Sequence, residues 1–299
     1  MFFAIIVYMY SAISKNKRNT VLIMAVFVAL IGVIGIVVGY LNNNYSLSVT
    51  ILVMAAIYAL IQYFAASSLA MAMTGAKEIQ KQDAPELWRT VENLAIASGV
   101  PMPKVYLIND PAPNAFATGR DPKHAIVGAT TGLLEIMDKR ELEAVMAHEM
   151  SHVQNYDIRV SMIAFGLVSA IGLLADVALR MMFFGDSRDR NVHPMVYVLG
   201  LAVVILAPIL AAITQMAISR QREYLADASG ALMTRDSEGL ASALGKLRDY
   251  GRPMQKQTTS TANLFLSDPL KPGFFAKLFS THPPIDERIA RLRNNATKM

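Results

Sequence analysis

From Asn19 to Ala76 the chain carries no Asp, Glu, Lys, Arg or His. A charge-free run of 58 residues is hard to reconcile with a soluble core, whose helices seldom continue so far without a polar face. The hydrocarbon of a bilayer is about 30 Å thick and takes about 20 helical residues to cross. The run therefore predicts two membrane spans, near 20–40 and 49–72, joined by the polar turn "YLNNNYSLS" at 40–48. The preceding stretch "MFFAIIVYMYSAIS", residues 1–14, is apolar but short for a span. It lacks the basic start and small-residue cleavage site of a signal peptide, so an interfacial or membrane-dipping helix is expected there. "KNKR" at 15–18 borders the first span with three positive charges, and the 40–48 turn has none. Positive flanks stay on the cytoplasmic side. This places the N-terminus, and the chain from residue 77 onward, in the cytoplasm.

Composition agrees with a chain partly in lipid. Of 299 residues, 54% are hydrophobic and 17% charged, against about 25% charged in ordinary soluble domains. Cysteine is absent, which excludes a disulfide framework and any thiolate metal ligand and leaves His, Asp and Glu for a metal. The net charge of +5 is mild, and no basic stripe with interleaved aromatics points to nucleic acid. The excess suits a membrane surface.

Residues 77–157 read as α+β. "PELWRTVENLAIASGV" opens with Pro, keeps apolar residues at helical spacing with Trp88 in the core, and stops at Gly99. "KVYLIND", "NAFATG" and "HAIVGAT" are short strand-like runs between turn residues. "DKRELEAVMAHEMSHVQNYD" is a helix with Asp138 as N-cap and Glu141 three residues on, the pattern of a capping box. Two further apolar segments, 160–184 and 194–219, predict a second hairpin of spans around the polar link 185–194. The tail from 220 is mostly helical. The organisation expected is an N-terminal membrane region (1–76), a first soluble segment (77–157), a second hydrophobic hairpin (158–219) and a second soluble segment (220–299).

The chemistry lies in "AHEMSH". On a helix, residues four apart share a face, so His148 and His152 can direct two imidazoles at one ion. Glu149 sits beside His148 without having to ligate. Two zinc ligands with a general base next to them are the H-E-x-x-H arrangement of metallopeptidases. Two solvated histidines on a polar helix face remain the plainer reading of this stretch alone. A catalytic zinc needs a third protein ligand and one open position. "SRQREYLADASGA" at 219–231 follows the last apolar segment and returns to the same side. It offers Glu223 as a ligand and, four residues on, Asp227 as an acceptor for the far nitrogen of a ligating histidine. Asp157 could do likewise, or be an ordinary polar residue at the membrane boundary.

Together, "NAFATG" at 114–119, "AHEMSH" at 147–152, "SRQREYLADASGA" at 219–231 and "STHPPIDERIARL" at 280–292 resemble the HtpX-like membrane metalloproteases, relatives of the CaaX prenyl endopeptidases. The order of the motifs and of the intervening apolar segments matches over nearly the whole chain, apart from the N-terminal extension 1–14. The resemblance implies an integral membrane α-helical protein of about four spans carrying an α+β gluzincin-type domain. It implies one Zn2+ per chain on His148, His152 and Glu223, with Glu149 as catalytic base. It also implies His282 and Arg288 at the substrate carbonyl and Asn114 on an edge strand that holds substrate backbone. The implied role is cutting damaged or misassembled proteins of the bacterial plasma membrane, with the site facing the cytoplasm. A membrane scaffold with a non-catalytic zinc site is the main alternative. A transporter or channel would want ionisable residues or broken helices inside the spans, and the run 19–76 has no ionisable Asp, Glu, Lys, Arg or His.

Overall fold

The computed structural model describes residues 2–41, 43–167, 220–256, 261–267 and 283–296, with residues 169 and 200. The chain forms two compact units. One comprises Met1–Arg18, Ser67–Met162 and Ile218–Met299, the other Asn19–Ala66 and Ile163–Ala217.

The charge-free run becomes two helices, α1 (Phe2–Leu41) and α2 (Tyr45–Thr74). Both contain segments long and apolar enough to cross a membrane, Ile13–Val37 and Tyr45–Thr74. Large apolar side chains such as Val33, Ile36, Met54 and Phe64 are exposed along them, as lipid-facing residues would be. Gly35 and Gly39, four apart on α1, let α2 come close. A Cβ on Gly35 would stand 3.0 Å from the Ile51 side chain, and one on Gly39 would collide with Ser48. Small residues at this spacing are how apolar helices approach each other in lipid. The turn is tighter than the sequence suggested. Asn43 adopts a positive φ of 49° and Asn44 Oδ1 accepts the Leu47 N–H. Residues 2–14 do not form a separate interfacial helix. They run without a break through "KNKR" into the first span, because Lys, Asn and Arg all tolerate helix and no Gly or Pro interrupts them.

The other unit is α+β. Its sheet has the order β1-β2-β4-β3, from β1 (Lys77–Glu78), β2 (Lys104–Ile108), β3 (Ala115–Gly119) and β4 (Ala125–Thr130). β2 and β4 are parallel, with Val105 opposite Val127, and the outer pairs are antiparallel. β3 is one of the two edge strands, β1 the other. Its outer side is met by Phe265, which bridges Phe116, and by the Leu266 N–H, which donates to the Ala115 carbonyl at 2.9 Å. α3 (Pro85–Ser98) ends at Gly99 in the left-handed region, φ 67°. Trp88 on it is half-buried against the core rather than enclosed by it. α4 (Thr131–Ile136), unanticipated in the sequence, is capped by the Thr130 hydroxyl. The remaining helices are α5 (Lys139–Gln154), α6 (Arg220–Thr234), α7 (Ser237–Tyr250) and α8 (Ile285–Ala296). Leu87, Val91 and Leu94 of α3, Val105 and Val127 of the sheet, Val145, Met146 and Met150 of α5, and Leu240 and Leu244 of α7 form one core. Residues 157–167 are also helical; the rest of 160–184 and the segment 194–219 lie outside the described residues, residues 169 and 200 apart.

α5 begins on a full capping box, the Asp138 side chain on the Glu141 N–H and the Glu141 side chain on the Asp138 N–H. Glu141 is buried and also accepts from Ser242 Oγ at 2.7 Å and Lys246 Nζ at 2.6 Å on α7. Burial pushes its carboxyl up, but Lys246, the Asp138 N–H and Ser242 outweigh this and hold it below its ordinary 4.5. A depressed carboxyl stabilises the fold fully above the unfolded-state value and loses that contribution as pH falls through the folded one. Glu141→Ala is therefore expected to destabilise the protein by about 2 kcal/mol at neutral pH. Chemical denaturation should show the gap to wild type closing below about pH 4, near the unfolded carboxyl range.

Candidate metal centre

α5 and α6 cross where α6 has no side chain. A Cβ on Gly230 would lie 2.9 Å from the His148 backbone nitrogen and 3.1 Å from its Cα. Gly230 follows Glu223 by seven residues and Asp227 by three, so all three lie on one face of α6. The close crossing sets that face against the histidines of α5.

Three potential ligand atoms converge. His148 Nε2 and His152 Nε2 are 3.2 Å apart, Glu223 Oε2 is 3.7 Å from His148 Nε2, and Glu223 Oε1 is 3.6 Å from His152 Nε2. One donor atom from each residue fits within 4.8 Å of the others. Ligands about 2.0–2.1 Å from a tetrahedral zinc lie roughly 3.3 Å from one another, so the donor set and its spacing fit the ion. Electrostatics point the same way. Glu149, Asp157, Glu223 and Asp227 are all buried, and Arg288 is the charged partner buried with them among the described residues. A dication would offset that imbalance, which is costly to leave in a low-dielectric interior.

Each histidine has a carboxylate behind it. His148 Nδ1 is 3.0 Å from Asp227 Oδ1, and His152 Nδ1 is 2.9 Å from Asp157 Oδ2. A carboxylate there holds the proton on Nδ1 and turns the Nε2 lone pair toward the ligand position. The two rings differ electrostatically. Burial holds His148 below its ordinary value, Arg288 adding to this against the pull of Asp227. Burial also opposes charge on His152, but Asp157 and Glu223 carry it up to about 9. Asp227 is disfavoured by burial, yet Arg288 and His148 bring it down to about 2. Asp157 reaches His152 because a turn at Asn155 and Tyr156 interrupts the helix after α5, with Tyr156 in the left-handed region at φ 61°.

Arg288, on the first turn of α8, donates from Nε and Nη2 to the two oxygens of Asp227 at 2.9 and 2.7 Å, and its Nη1 is 3.7 Å from Glu223 Oε2. It is 1% exposed. Glu149 is buried beside His148, and its charge is felt at both His152 and Arg288. Asn114 stands at the entry to β3. Its Nδ2 donates to the Ser267 carbonyl at 2.8 Å and its Oδ1 accepts the Ser267 N–H at 3.0 Å. His282 lies outside the described residues. Gly230 was not singled out from the sequence, and the bond from Asp157 to His152 was left open there. The one local signal for Asp157 is its position just past the end of the histidine helix.

A family model described as Peptidase family M48 matches residues 81–296. A protease HtpX homologue of Tropheryma whipplei (strain Twist) is 56% identical over 286 residues, spanning 95% of this chain and 98% of that protein. A protease HtpX homologue of Ligilactobacillus salivarius (strain UCC118) is 45% identical over 294 residues, 96% of this chain and 99% of that protein. The crystal structure of S. mikatae Ste24p superposes with a TM-score of 0.52 at 18% identity, over 96% of this chain and 67% of that one. At that identity the likeness is one of fold.

The α5–α6 crossing makes Gly230 a sensitive position. Gly230→Ala is expected to force the helices apart by a few tenths of an ångström or more, as overpacking does, and to weaken metal binding at the candidate centre by about tenfold, the scale of a disturbed ligand support. Competition with a chromogenic chelator measures this, and circular dichroism should show the helices intact.

Proposed function

The chain belongs to peptidase family M48 and is a membrane-associated metalloprotease; on that premise we propose that it is a gluzincin-type zinc endopeptidase cutting damaged or misassembled membrane proteins at the cytoplasmic face of a bacterial plasma membrane. The observation that carries the zinc assignment is the mutual spacing of His148 Nε2, His152 Nε2 and the Glu223 carboxylate, 3.2 to 3.7 Å. Two spans correspond to Ile13–Val37 and Tyr45–Thr74, and segments 160–184 and 194–219 supply the other two of the four in this reading.

Zinc, when bound on those three residues, supplies a Lewis acid that polarises the scissile carbonyl and makes water more acidic. The protein's residues do the rest. Glu149 takes the proton of the attacking water and passes it to the departing amine. Asp227 and Asp157 hold the two imidazoles in the tautomer that ligates. Arg288 anchors Asp227 with two parallel hydrogen bonds and brings positive charge to the site. Arg288 and His282 are the donors proposed for the substrate carbonyl in this reading. Asn114 and the outer edge of β3 offer backbone hydrogen bonds to an extended peptide. Such a peptide would take over the bonds that Leu266 and Ser267 now make with Ala115 and Asn114. A scaffold with a non-catalytic metal is disfavoured, since Glu149, which a structural site does not need, is retained beside the ligands.

Glu149→Gln separates binding from chemistry. Purified in detergent, it is expected to hold zinc at the wild-type stoichiometry and to cleave an unfolded protein substrate at least a hundredfold more slowly, the scale of a lost general base. Wild-type turnover in this variant would contradict the assignment.

A further inference from the structure

The turn that carries Asp157 is gripped by the N-terminal helix. Asn16 on α1 is 2% exposed. Its Nδ2 donates to Asp157 Oδ1 at 2.7 Å and to the Asn155 carbonyl at 3.0 Å. A primary amide has two N–H donors, and both are used on the same three-residue turn. The Asn155 carbonyl is one of those left without a helical partner at the end of α5, so Asn16 closes that helix end as well. Between the two acceptors stands Tyr156 with its positive φ of 61°. Lys17, the next residue of α1, lies over the Tyr156 ring, 4.5 Å from its centre. The other oxygen of Asp157, Oδ2, is the one bonded to His152 Nδ1 at 2.9 Å. Arg222 of α6 is a weaker neighbour, 3.9 Å from Oδ1.

We propose that Asn16 is a positioning residue for the metal ligand His152, acting through Asp157. A carboxylate has lone pairs on both oxygens and can rotate about its Cβ–Cγ bond. A short hydrogen bond to Oδ1 fixes that rotation and leaves Oδ2 aimed at the imidazole. The direction of the His152 Nε2 lone pair then depends on a residue 136 positions earlier in the chain, on the helix that carries the first apolar span. The inference rests on the reading of His148, His152 and Glu223 as the metal site.

The test uses the full chain in detergent, stripped of metal, and titrates zinc against a chelator of known affinity. The visible spectrum of the Co2+-loaded protein is recorded alongside, because its d–d bands report ligand geometry directly. Asn16→Leu keeps the bulk and removes both donors. It is expected to bind zinc about tenfold more weakly and to shift the cobalt bands. Asp157→Asn should weaken binding by 10- to 100-fold, and the double variant should be no weaker than Asp157→Asn alone, since coupled residues are not additive. Lys17→Leu loosens the same turn without touching the carboxylate and should stay within about twofold of wild type on the scale of an exposed cation–π contact. If Asn16→Leu does not fold, Asn16→Ala, which also lacks both donors, takes its place with the same expectation. Wild-type affinity and spectrum in the Asn16 variant, an equal loss in Lys17→Leu, or additive losses in the double variant would each overturn the proposal. A wild-type protein that bound no zinc would instead overturn the metal-site reading on which it rests.

Discussion

The crossing of α5 and α6 at Gly230 is the constraint on which the site depends. α5 supplies two imidazoles and a carboxyl on adjacent turns, and α6 supplies Glu223 and Asp227 at helical spacing, but neither helix alone encloses an ion. Contact at van der Waals distance between Gly230 and the His148 backbone brings the two sets within 4.8 Å. The core then fixes α5 from its other sides, through Val145, Met146 and Met150 against α3, the sheet and α7. The capping box at Asp138 and Glu141 sets where the helix starts and hence its rotational phase. Packing thus decides the distance between donors to a few tenths of an ångström, which a four-coordinate ion requires.

Charge is arranged around that crossing in layers. The ligand atoms face inward. Asp227 and Asp157 stand behind the histidines, and behind them stand Arg288 and Asn16. Asp227 and Asp157, both taken out of water, each meet a histidine on one oxygen and a second donor as well, as burial demands. The supports differ in kind. Asp227 is held by a buried guanidinium through two charge-assisted bonds, whereas Asp157 is held by a neutral amide. Burial and Arg288 hold His148 below its ordinary value, while at His152 Asp157 and Glu223 outweigh burial and raise it to about 9. The two histidines are therefore electrostatically unequal.

Much of this was legible along the chain, and the boundary of legibility is physical. The run from Asn19 to Ala76 dictated two long apolar helices because lipid tolerates little else. "AHEMSH" dictated two imidazoles on one face because helical geometry is local, and Asp138 with Glu141 announced the helix start for the same reason. Gly99 closed α3 where expected. The readings that stopped short concern contacts between distant segments. Nothing near Asn16 signals that its amide meets Asp157, 141 residues away, and Arg288 reads as one charge of a basic helix until Asp227 is found beneath it. The two-residue β1 is too short for a pattern. The break expected after residue 14 was inferred from a change of polarity, yet polarity alone does not end a helix when every residue tolerates it and no Gly or Pro intervenes. Gly230 shows the same limit, since a glycine inside a helix is read as a weakness until the partner backbone against it is known.

The proposed zinc site is defined by the atoms that hold the ion. X-ray absorption at the zinc edge, on the purified full chain, reads them directly. The result expected is one zinc per chain with two imidazole nitrogens and one carboxylate oxygen from the protein, all at about 2.0–2.2 Å, and one further light ligand. The Glu223→Ala variant should lose the carboxylate contribution along with most of its bound metal. A third imidazole in the wild-type spectrum, or an unchanged zinc environment in Glu223→Ala, would contradict it.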